Sequence, residues 1–324
     1  MELTHTAQRA GRLSSFLKNE MEMSSGLVNR LKWQEKICVN GIPRHNDFPV
    51  QPGDVITALL DAPEPEYPAE EGELTVLFED EHILAVDKPA GMLIHPSRAT
   101  MTGTLANRVL GYYRKTKQAC AFHPVTRLDR DTFGVVLLAK NAHIHAKLNQ
   151  LHSEGRLQKT YYALVVGGPA EDRGIIDAPI DRKPLPSLMR YVNQTGKPSV
   201  TEYSVLRREK DTSLLALRPI TGRTHQLRVH CSYMGFPIVG DPQYGTPHPD
   251  WQGQALCAKV LEFTHPITGE IVNIQSQFQI EYTFFVSDIF QFRFSALFQI
   301  IICTHYTLSR GEGAPKGREW NGVQ

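Results

Sequence analysis

The chain has no long uninterrupted hydrophobic run, almost no net charge and no closely spaced cysteines, and each lack removes a class of protein. A formal net charge of +1 over 324 residues leaves no polycationic arm or coat, so a nucleic-acid partner would be held by local basic patches. Five cysteines (Cys38, Cys120, Cys231, Cys257 and Cys303) stand far apart, with neither CxxC pairs nor metal-ligand spacing. They read as free, mostly buried thiols of a reducing compartment rather than a disulfide framework. The opening residues, Met1 to Arg9, carry no apolar run behind their charges, so no signal peptide is expected and the cytoplasm is the expected location. The Phe- and Ile-rich stretch from Tyr282 to Cys303 is broken by Asp288, Gln291, Arg293 and Gln299. It falls short of the ~20 apolar residues a membrane span needs. GxxxxGK[ST], HExxH, GxSxG and a GxGxxG after a strand are all missing. His143, His145 and His152 share one predicted helix at spacing unsuited to a metal, and read as surface or packing residues.

What is present is a globular composition, 41% hydrophobic, on a chain long enough for two domains. From about residue 12 to 60, Arg12-Leu-Ser-Ser-Phe-Leu and Ser25-Gly-Leu-Val-Asn-Arg-Leu-Lys-Trp repeat apolar residues at helical spacing. Cys38-Val-Asn-Gly-Ile then predicts a strand ending in an Asn-Gly turn, and Gly53 to Leu60 another strand. The acidic, proline-rich stretch 63–73 can build no core and reads as a linker. Beyond it, Leu74 to Phe78 and His82 to Val86 predict a hairpin. Further strands are expected at Gly134 to Ala139, Tyr161 to Val166, Val200 to Val205 and Leu214 to Leu217. Helices are expected from Asn141 to His152 and from Thr224 to Met234, stopped by Gly155 and Gly235. Strands outnumber helices without alternating with them, which argues for an α+β fold with a mixed sheet. The expected organisation is therefore a small domain at 1–62, a linker at 63–73, a larger domain at 74–281 and a tail at 282–324. The end of that tail has a disordered composition, and no role is assigned to it.

Three segments place charged or aromatic groups beside strand-like core. In Arg127-Leu-Asp-Arg-Asp-Thr-Phe-Gly134, Arg127 and Arg130 flank Asp129, and flanking positive charge favours the ionised carboxylate. Such a group at the mouth of a strand suits a nucleophile or base acting on an anionic substrate. A surface salt-bridge cluster would use the same residues. In Lys159-Thr-Tyr161-Tyr162, strand alternation sends the two rings to opposite faces, so only one can enter a given cleft. Half-buried packing is the plainer reading of either ring. In Thr221-Gly-Arg-Thr-His-Gln-Leu-Arg-Val-His230, a glycine turn feeds a helix carrying Arg223, His225 and Arg228. That arrangement fits an anion site at a helix start or a solvated basic face.

Taken in order, these three segments resemble the active-site motifs of the RluA-type pseudouridine synthases. Asp87-Lys-Pro-Ala-Gly-Met-Leu-Ile-His-Pro, Gly240-Asp-Pro-Gln-Tyr-Gly and His265-Pro-Ile-Thr-Gly-Glu add to the match, which runs from about Leu74 to about Gln279. The N-terminal unit resembles an S4 RNA-binding domain in its helix pair and in Lys36-Ile-Cys-Val-Asn-Gly and Pro52-Gly-Asp-Val-Ile. The resemblance implies a mainly antiparallel, mixed-sheet catalytic domain preceded by a small α+β S4-like domain. It implies isomerisation of uridine to pseudouridine in ribosomal or transfer RNA by a monomer, with no cofactor, no metal and no membrane. The N1–C1′ bond of a flipped-out uridine would be cleaved, the uracil turned, and the bond remade at C5.

By the same resemblance Asp129 is the carboxylate that starts cleavage, by attack at C1′ or by removing a C2′ proton. Tyr161 stacks on the uracil and serves as base for the last C5 deprotonation, and Arg228 pairs with Asp129. Arg127 fills the gap left by the flipped base, Leu227 lines the pocket wall, and Arg130, Arg223 and His225 contact substrate. Arg30, Lys32, Lys36 and Arg44 would meet phosphates. Thr126 and Phe133 stand where the family usually has His and Ser. A non-catalytic RNA-binding protein with a degenerate synthase domain is the alternative from another class, which the set Asp129, Tyr161 and Arg228 opposes. A glycoside hydrolase would want two carboxylates across the bond, and Asp131 is too close to Asp129 to serve.

Overall fold

The apolar run Phe133–Ala139 is buried at every position, so it has to be covered on both faces, and the larger part of the chain is arranged around it. The computed structural model describes residues 2–60, 67–184, 186–187, 189–248, 251 and 253–280. The tail expected from 282 onward and the first part of the expected linker lie outside the described residues.

In the N-terminal part, four strands pair antiparallel: β1 (Glu2–Thr6), β2 (Ile37–Val39), β3 (Ile42–Pro43) and β4 (Val55–Leu59), in the order β1-β4-β2-β3. The expected Asn-Gly turn joins β2 to β3, with Asn40 and Gly41 both at positive φ, as a tight two-residue hairpin requires. The first expected helix is a short segment, Leu13–Ser15, running into one wide turn at Phe16–Glu20. The second is α1 (Ser25–Trp33), whose start is capped by Ser24 Oγ accepting the Leu27 N–H. Leu13, Phe16, Leu17, Leu27, Val28 and Leu31 close over Ile37, Val39 and Ile56 in a core of their own. Strand β1 was not among the expected elements. Its half-buried positions are Leu3 and His5, between exposed Glu2, Thr4 and Thr6, and one apolar residue among polar ones makes no strand pattern.

The second part is built on a ten-stranded sheet. Its main path runs β10 (Arg173–Asp177), β11 (Val200–Arg208), β12 (Thr212–Pro219), β9 (Leu157–Val166), β13 (Leu256–Thr264), β8 (Phe133–Ala139), β6 (Ile83–Lys88) and β5 (Thr75–Glu79). Strand β7 (His123–Pro124) adds to β8, and β14 (Ile271–Gln275) adds to β13. Neighbours run antiparallel except β8 and β13, which are parallel, so the mixed, mainly antiparallel α+β expectation describes the fold.

Strand alternation divides the core in two. Leu84, Val86, Val136 and Leu138 face helix α2 (Leu105–Lys115) through Leu105, Val109 and Tyr113. Ile83, Ala85, Val135, Leu137 and Ala139 face α3 (Ala142–Ser153) through Ile144, Leu148 and Leu151. Among the described cysteines Cys231 and Cys257 are buried and Cys38 and Cys120 half-buried, all as free thiols. Among the described residues no helix is long and apolar enough to cross a membrane.

Helix α2 was also not among the expected elements. Gly111 sits in its middle because the chain from Pro68 to Glu71 lies against it, and a Cβ there would stand 1.9 Å from the Glu70 carbonyl oxygen. The Glu70 N–H donates to Asn107 O at 2.9 Å, and Asn107 Nδ2 donates to Pro68 O at 2.8 Å. The later half of the expected linker is thus fastened to the larger part rather than spanning freely. Further along, an ion pair joins the two parts, with Lys147 Nζ of α3 2.6 Å from Glu22 Oε2.

Gly134, in β8, has φ +110, and an added Cβ would lie 2.4 Å from the Ala258 carbonyl oxygen of the parallel neighbour β13. Gly134→Ala should therefore destabilise the protein by about 2–3 kcal/mol, combining backbone strain with a steric clash. Gly26→Ala in α1, where nothing lies within 4 Å of the new Cβ, should match wild type or exceed it slightly. Urea unfolding midpoints of the three proteins check this, and a wild-type midpoint for Gly134→Ala would refute it.

Candidate active site

Three strand ends and one helix start converge on a cleft of about 890 Å³. Asp129 lies on the loop between β7 and β8, Tyr161 on β9, and Arg228 on α4 (Gln226–Tyr233). Arg127, Arg130, Leu227, Arg223 and His225 line the same cleft, so every expected catalytic and substrate-contacting residue stands around one space. Arg30, Lys32, Lys36 and Arg44 belong to the N-terminal part and do not line it. Lys32 Nζ lies 5.6 Å from the centroid of the Trp33 ring, and the Arg44 guanidinium 4.4 Å from that of Phe48.

The cations beside Asp129 are not those that sequence adjacency suggests. Arg130 turns to Asp131, with Nε–Oδ1 at 2.9 Å and Nη2–Oδ2 at 3.0 Å. Arg127 is exposed and makes no hydrogen bond or ion pair with the described residues. The partner is Arg228, whose Nη1 donates to Asp129 Oδ2 at 3.0 Å from a position 5% exposed. Adjacency therefore puts neither Arg127 nor Arg130 onto Asp129, and its cation comes from a distant element.

Arg228 is itself held from behind. Its Nε and Nη2 donate to Asp241 Oδ2 and Oδ1 at 2.7 and 2.8 Å, and Nη2 also reaches Gln243 Oε1 at 3.0 Å. Asp241 further accepts the N–H groups of Gln243 and Tyr244. Burial alone would push the Asp241 carboxyl up, but these hydrogen bonds and the Arg228 charge hold it below the usual range. Asp241, Gln243 and Tyr244 were matched in sequence only as part of a supporting motif. Their function depends on a fold that brings residues 228 and 241 together.

The loop bearing Asp129 is also clamped from beneath. Lys88 is fully buried, and its Nζ donates to the carbonyls of Pro89, Met92 and Arg130, each at 2.8 Å. Burial brings its ammonium down to about 8, against the opposing pull of Asp131 and Asp129. Tyr161 enters the cleft where the β9–β13 register slips by one residue, Thr160 facing Val260 and Tyr161 facing Ala258. Burial first, and then the Asp129 charge, push its phenol up, so it is a neutral hydroxyl.

The expected helix start at Thr224 is displaced to Gln226. Gln226 Oε1 accepts from Thr221 Oγ1 and the Arg223 N–H, while its Nε2 donates to Val200 O and Thr201 Oγ1. These bonds hold the glycine turn against β11. Of the two departures from the family pattern, Thr126 lines the cleft and Phe133 does not. Thr126 is buried and its Oγ1 accepts the Leu137 N–H at 3.0 Å, while Phe133 packs on Trp251 and Phe278 away from the lining. The cleft also extends beyond the expected residues, past His123, His145, Asn149, His152 and Lys159. His123 is brought down to about 4, chiefly by burial and further by His145 and by Arg30 of α1. His145 and His152, expected as surface or packing residues, stand in the cleft wall.

Residues 82–233 match the family described as RNA pseudouridylate synthase. The chain is 38% identical over 276 residues to the uncharacterized RNA pseudouridine synthase YlyB of Bacillus subtilis (strain 168), covering 83% of this chain and 91% of that one. It is 39% identical over 213 residues to ribosomal large subunit pseudouridine synthase D of Nitrosomonas europaea, covering 63% of this chain and 62% of that one. Among solved structures, human RNA pseudouridylate synthase domain containing 1 superposes with a TM-score of 0.54 at 27% identity, over 64% of this chain and 84% of that one. The chain belongs to the RNA pseudouridine synthase family, in its RluA-type branch, and is an isomerase rather than a degenerate binding module.

From the Lys88 clamp an alkaline limit on turnover is expected. A lysine depressed to about 8 in the folded chain and ordinary in the unfolded one loses its proton from the native state first. Between about 8 and the ordinary lysine value the unfolded chain binds more protons, so this group's share of global stability rises with pH. The clamp meanwhile loses one of its three donors. Turnover should therefore fall above pH 8 while the urea midpoint does not fall through this group. Lys88→Met should lower turnover by about tenfold or more at pH 7, as expected when three carbonyls lose their donor. Steady-state rates and urea midpoints across pH 7 to 10 are the measurement, and a flat rate profile would remove Lys88 from loop positioning.

Proposed function

We propose that this RNA pseudouridine synthase uses Asp129 to start isomerisation of a uridine in ribosomal RNA of the large subunit. The observation that carries the assignment is the Asp129–Arg228 contact at 3.0 Å, at the floor of a cleft that also holds Tyr161 and Leu227. Arg228 and His225 both address Oδ2, at 3.0 and 3.9 Å, while no described side chain donates to Oδ1. Oδ1 is thus the oxygen available to the ribose, whether it attacks C1′ or removes the C2′ proton. Arg127, exposed at the rim and without a partner among the described residues, would take the place of the flipped base. Tyr161 offers its ring to the uracil. As a neutral phenol it can accept the C5 proton only after giving up its own, which favours stacking as its main contribution. Arg130, held by Asp131, and Arg223 at the rim supply positive charge for neighbouring phosphates. The choice of ribosomal RNA is supported by relatives that carry that name, among them synthase D of Nitrosomonas europaea and of Pseudomonas aeruginosa. Pseudouridine mapping of ribosomal and transfer RNA, with and without the gene, separates the two substrates.

Asp129→Asn keeps the shape of the side chain and removes both nucleophilicity and basicity. It should lower tritium release from C5-labelled uridine RNA by about three orders of magnitude or more, with RNA affinity within a few-fold of wild type. Wild-type release would sink the assignment.

For the N-terminal part we propose an S4-like RNA-binding role for residues 1–62, with Arg30, Lys32, Lys36 and Arg44 at phosphates and 74–281 as the catalytic domain. It has its own apolar core, and the ion pair of Lys147 with the exposed Glu22 contributes little to stability. Deleting 1–62 should leave a folded, active enzyme that binds RNA more weakly. The log–log salt slope of binding should flatten by about 0.7–0.9 for each phosphate no longer neutralised. Salt titrations of both proteins test this, and identical slopes and affinities would exclude an RNA role for the unit.

A further inference from the structure

Behind the Asp129–Arg228 pair, a chain of hydrogen bonds leads to a second donor. The backbone N–H of Arg190 donates to Tyr244 Oη at 2.8 Å, and the same oxygen lies 2.8 Å from His225 Nδ1. The far ring nitrogen, His225 Nε2, faces Asp129 Oδ2 at 3.9 Å. Arg228 lies against both partners, with its guanidinium 5.0 Å from the Tyr244 ring centroid.

A neutral imidazole carries one N–H, and its neighbours decide which nitrogen holds it. Burial pushes the Tyr244 phenol up, so the hydroxyl keeps a proton to give. With the Arg190 N–H occupying one lone pair of that oxygen, the phenolic proton is donated to Nδ1. The opposite tautomer would aim a lone pair at a carboxylate oxygen and leave the phenol without an acceptor. Around the ring stand Asp129, Asp241, Arg228 and Arg190. Burial, the largest influence, brings the imidazole below its ordinary value, against Asp129 and Asp241. His225 also has a left-handed backbone, φ 59 and ψ 17, immediately before α4. Side chains other than glycine seldom adopt it, and here it turns the ring toward the cleft.

We propose that His225 is a positioning residue of the isomerisation: Tyr244 fixes it as the Nε2–H tautomer, and that N–H closes onto Asp129 Oδ2 when RNA fills the cleft. Ligand-free sites commonly hold such bonds long and tighten them with substrate. Together with Arg228, His225 would then engage one carboxylate oxygen and leave Oδ1 to the ribose. The inference rests on the reading of Asp129 as the catalytic carboxylate.

The test uses full-length protein labelled with ¹⁵N-histidine and a long-range ¹H–¹⁵N spectrum at pH 7.5. The His225 ring is identified by its absence from His225→Gln, or by its displacement in Asp129→Asn. The expected pattern is an unprotonated Nδ1 and a protonated Nε2 in wild type, relaxing to a mixture of tautomers in Tyr244→Phe. An Nδ1–H ring or an imidazolium in wild type, or an unchanged pattern in Tyr244→Phe, overturns the proposal. This readout needs no RNA, so it stands or falls apart from the assignment of Asp129, which activity of Asp129→Asn decides.

Kinetics supply the second arm, on RNA from cells lacking the gene. Tyr244→Phe and His225→Leu should each lower kcat by about tenfold, the effect of removing one hydrogen bond, with KM within twofold. His225→Gln, which keeps an amide donor, should recover part of that loss. Equal kcat in His225→Leu and wild type, or a change confined to KM, would overturn the role.

Discussion

The Arg228 guanidinium is the group on which the site depends. Its planar fork of donors engages Asp241 with two bonds and still reaches Asp129 with a third nitrogen, which a lysine ammonium could not do with the same geometry. It ties together the β7–β8 loop, the start of α4 and the turn at Asp241, three segments with no local reason to meet. Burying the Arg228 and Asp241 charges is tolerable because the two are matched, with half-buried Asp129 beside them. Removing one partner of such a buried set typically costs about 3–5 kcal/mol. The pairing is therefore more informative about the precision of the site than about net stability.

The sheet gives this pairing its footing. Gly134 lets β8 run parallel and close to β13, and Lys88 gathers three carbonyls, one of them from Arg130 next to the carboxylate. The register slip at Tyr161 aims that ring into the cleft from the neighbouring strand. Two of these lie near strand ends, at Gly134 and Lys88, and the third interrupts β9 midway at Tyr161. Apolar residues on both faces of β6 and β8 make those strand ends rigid, so the polar groups above them start from fixed positions.

Elements with a strong apolar period were legible in advance. The hairpin β5–β6, the buried strand β8, the helix α3 and the Asn40-Gly41 turn all follow from residue spacing and turn chemistry, whereas Asn141, expected as the first residue of α3, proves to be its cap. Two elements escaped because their determinants are tertiary. Strand β1 is polar and owes its state to pairing with β4. Helix α2 carries Gly111 in its middle, which weakens any local reading, and the glycine is there because the Glu70 carbonyl approaches it. The stretch expected to be a free linker is bound to α2 in its later half, through backbone groups that a composition argument does not see.

By itself the sequence determined which chemical groups stand at the ends of which strands and helices: Asp129 before β8, Tyr161 in β9, Arg228 at the start of α4. It determined these because local spacing and turn residues act over a few positions along the chain. The family resemblance named Arg228 as the partner of Asp129, and only the tertiary structure decided how each charge is held. Arg130 lies one residue from Asp129 and pairs with Asp131, while Arg228, 99 residues away, pairs with Asp129. The physical reason is that an ion pair depends on side-chain direction at a few ångströms. That direction is set by strand register, the left-handed turn at His225 and the Asp241 support behind the guanidinium, none of which adjacency in sequence can encode.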